Sequence, residues 1–164
     1  MNRFDMRQEL VNLGSGAHAL AIQILGNADD AADAVHDAFE RVLSRPGAYE
    51  RRRGPLKPWF LRVVRNRCID LLRQRRTNEQ PVDELASAGR TPEQETEQLQ
   101  RDLSLQRSLA QLEPDHRQIV VLRDYLDLSY AEIADVLGIA TGTVMSRLHR
   151  ARLALKEVLE RHDA

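Results

Sequence analysis

Apolar residues recur along this chain at the three-and-four spacing of amphipathic helices, and no alternating run bounded by turns marks a strand. The first such pattern predicts a helix from about Arg7 to Leu25, closed by Gly26 and Asn27, with Gly14 and Gly16 weakening its first half. The stretch "ADDAADAVHDAFERVL" predicts a second helix that stops before "SRPG". Asp29 or Asp30 is expected to cap it, and acids in its first turn suit the helix dipole. Ala34, Val35, Ala38, Phe39 and Val42 form its core stripe. A loop, "PGAYERRRGPLKP", leads into a third helix, "WFLRVVRNRCIDLLRQRR", whose core side carries Phe60, Val64, Cys68 and Leu71.

The pattern then changes. Residues 79–98 hold two prolines, many polar residues and few large apolar ones, the composition of a flexible linker. Beyond them, "LQRDLSLQRSLAQL", "PDHRQIVVLRDYL", "SYAEIADVLG" and "TGTVMSRLHRARLALKEVLE" predict four more helices. The expected fold class is all-α, with two small helical domains, residues 1–78 and 99–164, joined by the linker 79–98.

Local signals are dense in "SYAEIADVLGIATGTV". Ser129 and Glu132 have the spacing of a capping box, Gly138 stands where a helix ends in a left-handed residue, and Thr141 can cap the next helix. Ala134, Gly138 and Val144 are spaced as in helix-turn-helix proteins. Plotted at about 100° per residue, the last helix has a core stripe of Val144, Leu148, Ala151, Leu155 and Leu159. Gly142, Thr143, Ser146, His149 and Arg150 lie opposite, with Met145 at the edge. Arg147 and Arg152 flank the stripe, where their stems can pack while their heads reach phosphates. Small or hydrogen-bonding residues in the first turns and cations along the flanks are what a helix needs to enter a major groove.

The third helix carries a second basic face: Arg62, Arg65, Asn66, Ile69, Arg73 and Arg76, with Trp59 at its edge and Asp70 as the helix's one acid. The loop before it adds Arg51, Arg52, Arg53 and Lys57. Cations with an amide and an indole among them suit a nucleic-acid backbone and unstacked bases. On the second helix, Asp30, Asp33, Asp37 and Glu40 form an acidic row. That row reads either as a solvated face or as a dock for a basic protein.

Net charge is only −1, which by itself argues against nucleic acid, but the distribution reverses the inference. Residues 41–78 carry a local +10 and residues 79–113 a local −5. No apolar run approaches the ~18 residues of a membrane span, and the start "MNRFDMRQEL" lacks the order of a secretory signal. With the single cysteine Cys68 excluding an internal disulfide, the expectation is a cytoplasmic protein with no membrane insertion. The five histidines show no ligand spacing and no Gly-rich phosphate loop occurs, so no metal, cofactor or catalytic residue is expected.

Three stretches in order, "DDAADAVHDAFERVL", "WFLRVVRNRCIDLLRQRR" and "LSYAEIADVLGIATGTVMSRLHRARLAL", resemble the sigma-70 family, specifically its extracytoplasmic-function (ECF) group of bacterial RNA polymerase sigma factors. The resemblance implies roles that spacing alone does not. Residues 1–78 would be sigma region 2, docking Asp30, Asp33, Asp37 and Glu40 on the β′ clamp helices of core RNA polymerase. Arg51, Arg52, Arg53, Trp59, Arg62, Arg65, Asn66, Arg73 and Arg76 would melt and read the −10 element of promoter DNA. Residues 99–164 would be region 4, binding the β flap and reading the −35 element with Thr141, Thr143, Met145, Ser146, Arg147, His149 and Arg150. The acidic linker would thread towards the RNA exit path, and an anti-sigma factor would be a further partner. Met145 departs from the family, standing where many relatives carry lysine, and so does His36, where glutamine is common.

Two other readings compete. A sigma mimic that only titrates an anti-sigma factor should lose its DNA-facing cations, yet Arg62, Arg65, Arg73, Arg147 and Arg150 remain. A stand-alone helix-turn-helix repressor accounts for residues 129–155 but not for the basic loop and helix before the linker.

Overall fold

A computed structural model describes residues 3–78 and 97–163. Seven α-helices make up most of it: α1 (Arg3–Leu25), α2 (Ala28–Ser44), α3 (Leu56–Thr77), α4 (Glu97–Ala110), α5 (Pro114–Val120), α6 (Tyr130–Leu137) and α7 (Thr141–Asp163). The described residues contain no strand. Most of the expected linker lies outside the described residues, and α4 begins at Glu97, two residues earlier than expected.

Between α1 and α2 only two residues intervene. Gly26 takes a left-handed φ of +74° and its N–H bonds the Ile22 carbonyl at 2.8 Å, which ends α1. The chain is then extended at Asn27, whose side-chain oxygen accepts from the N–H groups of Asp29 (2.8 Å) and Asp30 (3.1 Å). Asn27 is therefore the cap, in place of the expected Asp29 or Asp30, because the left-handed turn starts α2 at once. Small residues let these helices approach: Ala17, Ala21, Ala31, Ala34 and Ala38 are fully buried. Phe39 stacks on Phe60 of α3 at 5.1 Å between ring centroids. Phe60, Val64 and Cys68 complete the core that α3 forms with α1 and α2.

In the second half, α5 runs into a π-helical segment, Val121–Tyr125, closed by a bond from the Leu126 N–H to the Val121 carbonyl at 2.9 Å. Asp127 follows in the left-handed region (φ +58°), a conformation that aspartate tolerates better than most residues. The Leu128 N–H then reaches back to the Leu122 carbonyl, so two carbonyls near the helix end are satisfied. Arg123 holds the turn, donating to the Leu128 carbonyl at 2.8 Å with its guanidinium 4.9 Å from the Tyr130 ring centroid.

The capping box forms as expected: Ser129 Oγ accepts from the Glu132 N–H (3.1 Å) and Glu132 Oε1 accepts from the Ser129 N–H (2.9 Å). Gly138 ends α6 with φ +67°, Ala134 is buried, and Val144, Leu148 and Ala151 seat α7 on the core. The apolar stripe drifts after that point. Val158 is buried while Leu159, expected in the core, is exposed, because a stripe held straight must step by three as well as by four.

The two helical units are packed together, a relation the sequence left open. Helix α6 lies on α3 and α5 on α1, and one continuous apolar cluster runs through both.

Two consequences are measurable. No atom crowds a Cβ at Gly138, so its requirement is purely conformational. Gly138→Ala should cost about 1–2 kcal/mol in denaturant unfolding and Gly138→Asn clearly less. Equal costs would contradict the left-handed turn. The second consequence concerns Cys68, whose burial pushes its thiol up to about 12, against smaller opposing effects of Arg67, Arg65 and Arg75. The folded state therefore favours the protonated thiol. Its stabilising contribution is complete below the unfolded thiol range near ~8.5 and is lost as pH rises through about 12. Cys68 should resist iodoacetamide at pH 8 in native buffer and react once denaturant is added.

Candidate nucleic-acid interface

Because Val144, Leu148 and Ala151 point into the core, the opposite side of α7 is turned outward. Thr141, Gly142, Met145, Ser146, His149 and Arg150 are exposed, and Thr143 and Arg147 are half-buried at the flank. Thr141 is the first helical residue, not the cap that the sequence suggested. Ala140 precedes it and accepts the Val144 N–H at 3.1 Å, and alanine has no side-chain oxygen to cover the first-turn amides. The helix thus presents small residues and uncovered N–H groups at its tip, with Arg147 and Arg150 one turn behind. Arg152 does something else. Its Nε and Nη2 donate to the two carboxylate oxygens of Asp124 in the π-helical segment, at 3.1 and 2.5 Å, and this pairing raises its pKa. An arginine expected at phosphates is therefore committed to an internal ion pair.

On α3 the same logic of rotation applies. With Phe60, Val64 and Cys68 inward, Arg62, Asn66, Arg73 and Arg76 fall on exposed positions. Trp59 is half-buried, its ring tilted against Tyr49 at 5.1 Å between centroids. The loop before α3 is shaped by Tyr49, whose hydroxyl donates to the Gly54 carbonyl at 2.8 Å. That bond closes a 3₁₀ turn, Arg51–Arg53, whose three arginines stay largely exposed. Arg51 pairs loosely with Glu9 (3.4 Å), and Arg52 and Arg53 share Glu50 (3.3 Å each). Such exposed pairs are worth about 0–1 kcal/mol, so a polyanion can displace the carboxylates.

Arg65 is the exception in this face. Its Nε donates to Gln118 Oε1 of α5 at 2.9 Å, and the side chain is half-buried between the two halves. Burial lowers its pKa; Asp115 opposes that effect and the nearby Arg147 cation adds to it. The structure thus brings one expected −10 residue against α5 of the second half.

The acidic row divides in two. Asp37 pairs with Arg67 (3.0 Å), and Asp30 pairs with Arg75. Asp33 and Glu40 are exposed, and Glu40 lies 3.1 Å from His36. Arg67 and Arg75 were not singled out by sequence. Their signal was there: they sit two turns apart on α3, as Asp37 and Asp30 do on the antiparallel α2. Among the described residues no group of His, Cys, Asp and Glu is arranged to hold a metal ion, and no helix is long and apolar enough to cross a membrane.

Comparison with known proteins matches both halves of the chain. Residues 12–77 match the family model described as Sigma-70 region 2, and residues 102–155 match Sigma-70, region 4. The chain is similar to the ECF RNA polymerase sigma factor SigE of Mycolicibacterium smegmatis, with 34% identity over 90% of this chain. It spans 58% of that relative's length. To the ECF RNA polymerase sigma factor SigL of Mycobacterium tuberculosis it is 37% identical, over 85% of this chain and 80% of the relative. Among solved structures it is similar to the sigma factor RpoE of Bartonella quintana, in complex with the anti-sigma factor NepR. That match has a TM-score of 0.79 at 26% identity, covering 95% of this chain and 97% of RpoE. Both basic faces thus lie on the helices of two matched regions in the family's order, and the chain belongs to the sigma-70 family, within its ECF group of RNA polymerase sigma factors.

Proposed function

We propose that this chain binds core RNA polymerase and directs promoter-specific initiation, reading the −35 element with the exposed side of α7 and the −10 element with α3 and the arginine turn before it. The observation that carries this reading is the outward side of α7. Thr141, Met145, Ser146, His149 and Arg150 are held at the surface by a helix-turn-helix whose capping box and left-handed Gly138 both form. Residues 1–78 act as region 2, and the unit beginning at α4 acts as region 4. The work is done by binding, with the polymerase supplying the catalysis, so the chain operates in the cytoplasm where polymerase and promoters are.

Each unit offers few phosphate contacts, so binding to free DNA is weak and falls steeply with salt. Joining both to one polymerase raises the effective concentration of each, and avidity then exceeds either module by ~10²–10⁴. Flipping a base out of the duplex costs a few kcal/mol, offset by stacking on groups such as Trp59 at ~1–3 kcal/mol per base. On the polymerase side, Asp33 and Glu40 are the carboxylates best placed to meet basic residues of the β′ clamp helices, since Asp30 and Asp37 are already paired. RpoE was solved with an anti-sigma factor, and an anti-sigma partner is proposed for this chain by that likeness.

Purified chain with core polymerase on a pool of genomic fragments, with transcript 5′ ends sequenced, tests the reading directly. Starts that depend on the chain and share spaced −35 and −10 elements are expected. DNA binding without new starts would favour a repressor. Replacing both Arg147 and Arg150 by alanine should cut −35-dependent transcription by about tenfold or more, at ~1–3 kcal/mol per good base contact, and leave polymerase binding intact. Unchanged transcription would remove α7 from the −35 element. Asp33→Arg with Glu40→Arg should weaken capture of core polymerase without changing the melting temperature by more than a degree or two. Equal capture would return that face to simple solvation.

A further inference from the structure

Among the polar and small residues on the outward side of α7, Met145 is out of place. It is 57% exposed, and the other large apolar residues exposed on this helix, Leu153 and Leu159, lie two or more turns further on. Its surroundings are open or already engaged. At Gly142, three residues earlier, no atom lies within 4 Å of where a Cβ would stand, so the surface beside Met145 is free to be approached. Ser146 turns its hydroxyl back on its own helix, donating to the Thr143 carbonyl at 3.2 Å. Arg152, two turns on along the same edge, is held by Asp124, while Arg147 and Arg150 lie on the opposite flank. Among the described residues, the edge that carries Met145 therefore offers a phosphate no unpaired guanidinium.

We propose that Met145 is a specificity determinant of the −35 contact, selecting a thymine at one position by burying its C5-methyl group. The inference rests on the −35 reading given above to α7 and adds the base chemistry that one of its side chains selects. A thioether has no N–H or O–H to donate and accepts only weakly, so Met145 does not distinguish bases by hydrogen bonds. The apolar group that a base pair presents in the major groove is the thymine methyl, which lies at the outer wall of the groove, where a side chain at the edge of the helix arrives. The long, unbranched side chain of Met145 bends to follow that wall. Taking one methyl group out of water is worth about fourfold in affinity. Cytosine at the same place lacks the methyl and presents an N4 amino group that the thioether would strip of water without pairing it, which widens the preference for thymine.

The test uses the whole chain assembled with core polymerase, on promoters identified by their transcript starts and then randomised in the −35 element. Bound fragments are sequenced. The wild type should enrich thymine at one −35 position of one strand. Met145→Gln, similar in length but polar, should lose the enrichment at that position alone, and Met145→Leu should keep it. Both replacements favour a helix and stand at an exposed site, so the fold is not at stake. Replacing the selected thymine by deoxyuridine, which differs only in lacking the methyl, should weaken wild-type binding about fourfold and leave binding by Met145→Gln where it was. No loss with deoxyuridine in the wild type, or an equal loss in both proteins, would overturn the methyl contact. Thymine enrichment that survives in Met145→Gln, or enrichment of other bases with no thymine among them, would overturn the selection. Failure of the −35 reading itself looks different: no −35 position would be enriched in any protein, and replacing Arg147 and Arg150 by alanine would change nothing.

Discussion

Burial of Phe60, Val64 and Cys68 against α1 and α2 fixes the rotation of α3, and that rotation decides where every cation on the helix points. Fully burying a side chain such as Phe60 is worth about 1.5–3 kcal/mol, more than any single surface charge contributes. The apolar stripe therefore dictates, and the charges follow. One flank brings Arg67 and Arg75 to the carboxylates of α2. The outer side exposes Arg62, Asn66, Arg73 and Arg76. The remaining flank, with the buried Leu61 and with Arg65, meets the second unit. A helix turned by one residue, about 100°, would exchange these roles.

The second unit is governed by its turns more than by its core. Three chain reversals in quick succession, at Asp127, Ser129 and Gly138, set the angle between α5, α6 and α7. Each satisfies its own stray backbone groups, by a left-handed residue or by a capping box, so the geometry does not wait for DNA. The outward side of α7 is accordingly preformed, and a ligand there would not have to order it first.

Charge in this protein is best understood by commitment. Arg67, Arg75, Arg117, Arg123 and Arg152 are bound to carboxylates or carbonyls of the fold. Arg62, Arg73, Arg76 and Arg150 are exposed and make no ion pair among the described residues. The loop arginines lie between these cases, paired loosely at the surface. A basic stretch read as one block along the sequence is thus two populations in space, one structural and one available to a polyanion.

Periodicity and turn chemistry are local, and what depends on them was legible in the sequence: an all-α chain, the order of its helices, the core stripes of α2 and α3, the capping box and the left-handed glycine. Local reading failed where two elements compete for one residue. Asn27 took the cap from the aspartates because Gly26 turned the chain so early that α2 starts at Ala28, and Val158 replaced Leu159 because a long stripe drifts. Pairings remote in sequence were decided only by tertiary structure: Arg152 with Asp124, Arg75 with Asp30, Arg65 with Gln118, and Leu126 against Gly16. The reason is physical. A helix's own hydrogen bonds and apolar period are set within four residues, whereas the partner of a long charged side chain depends on which surface another helix brings within a few ångströms.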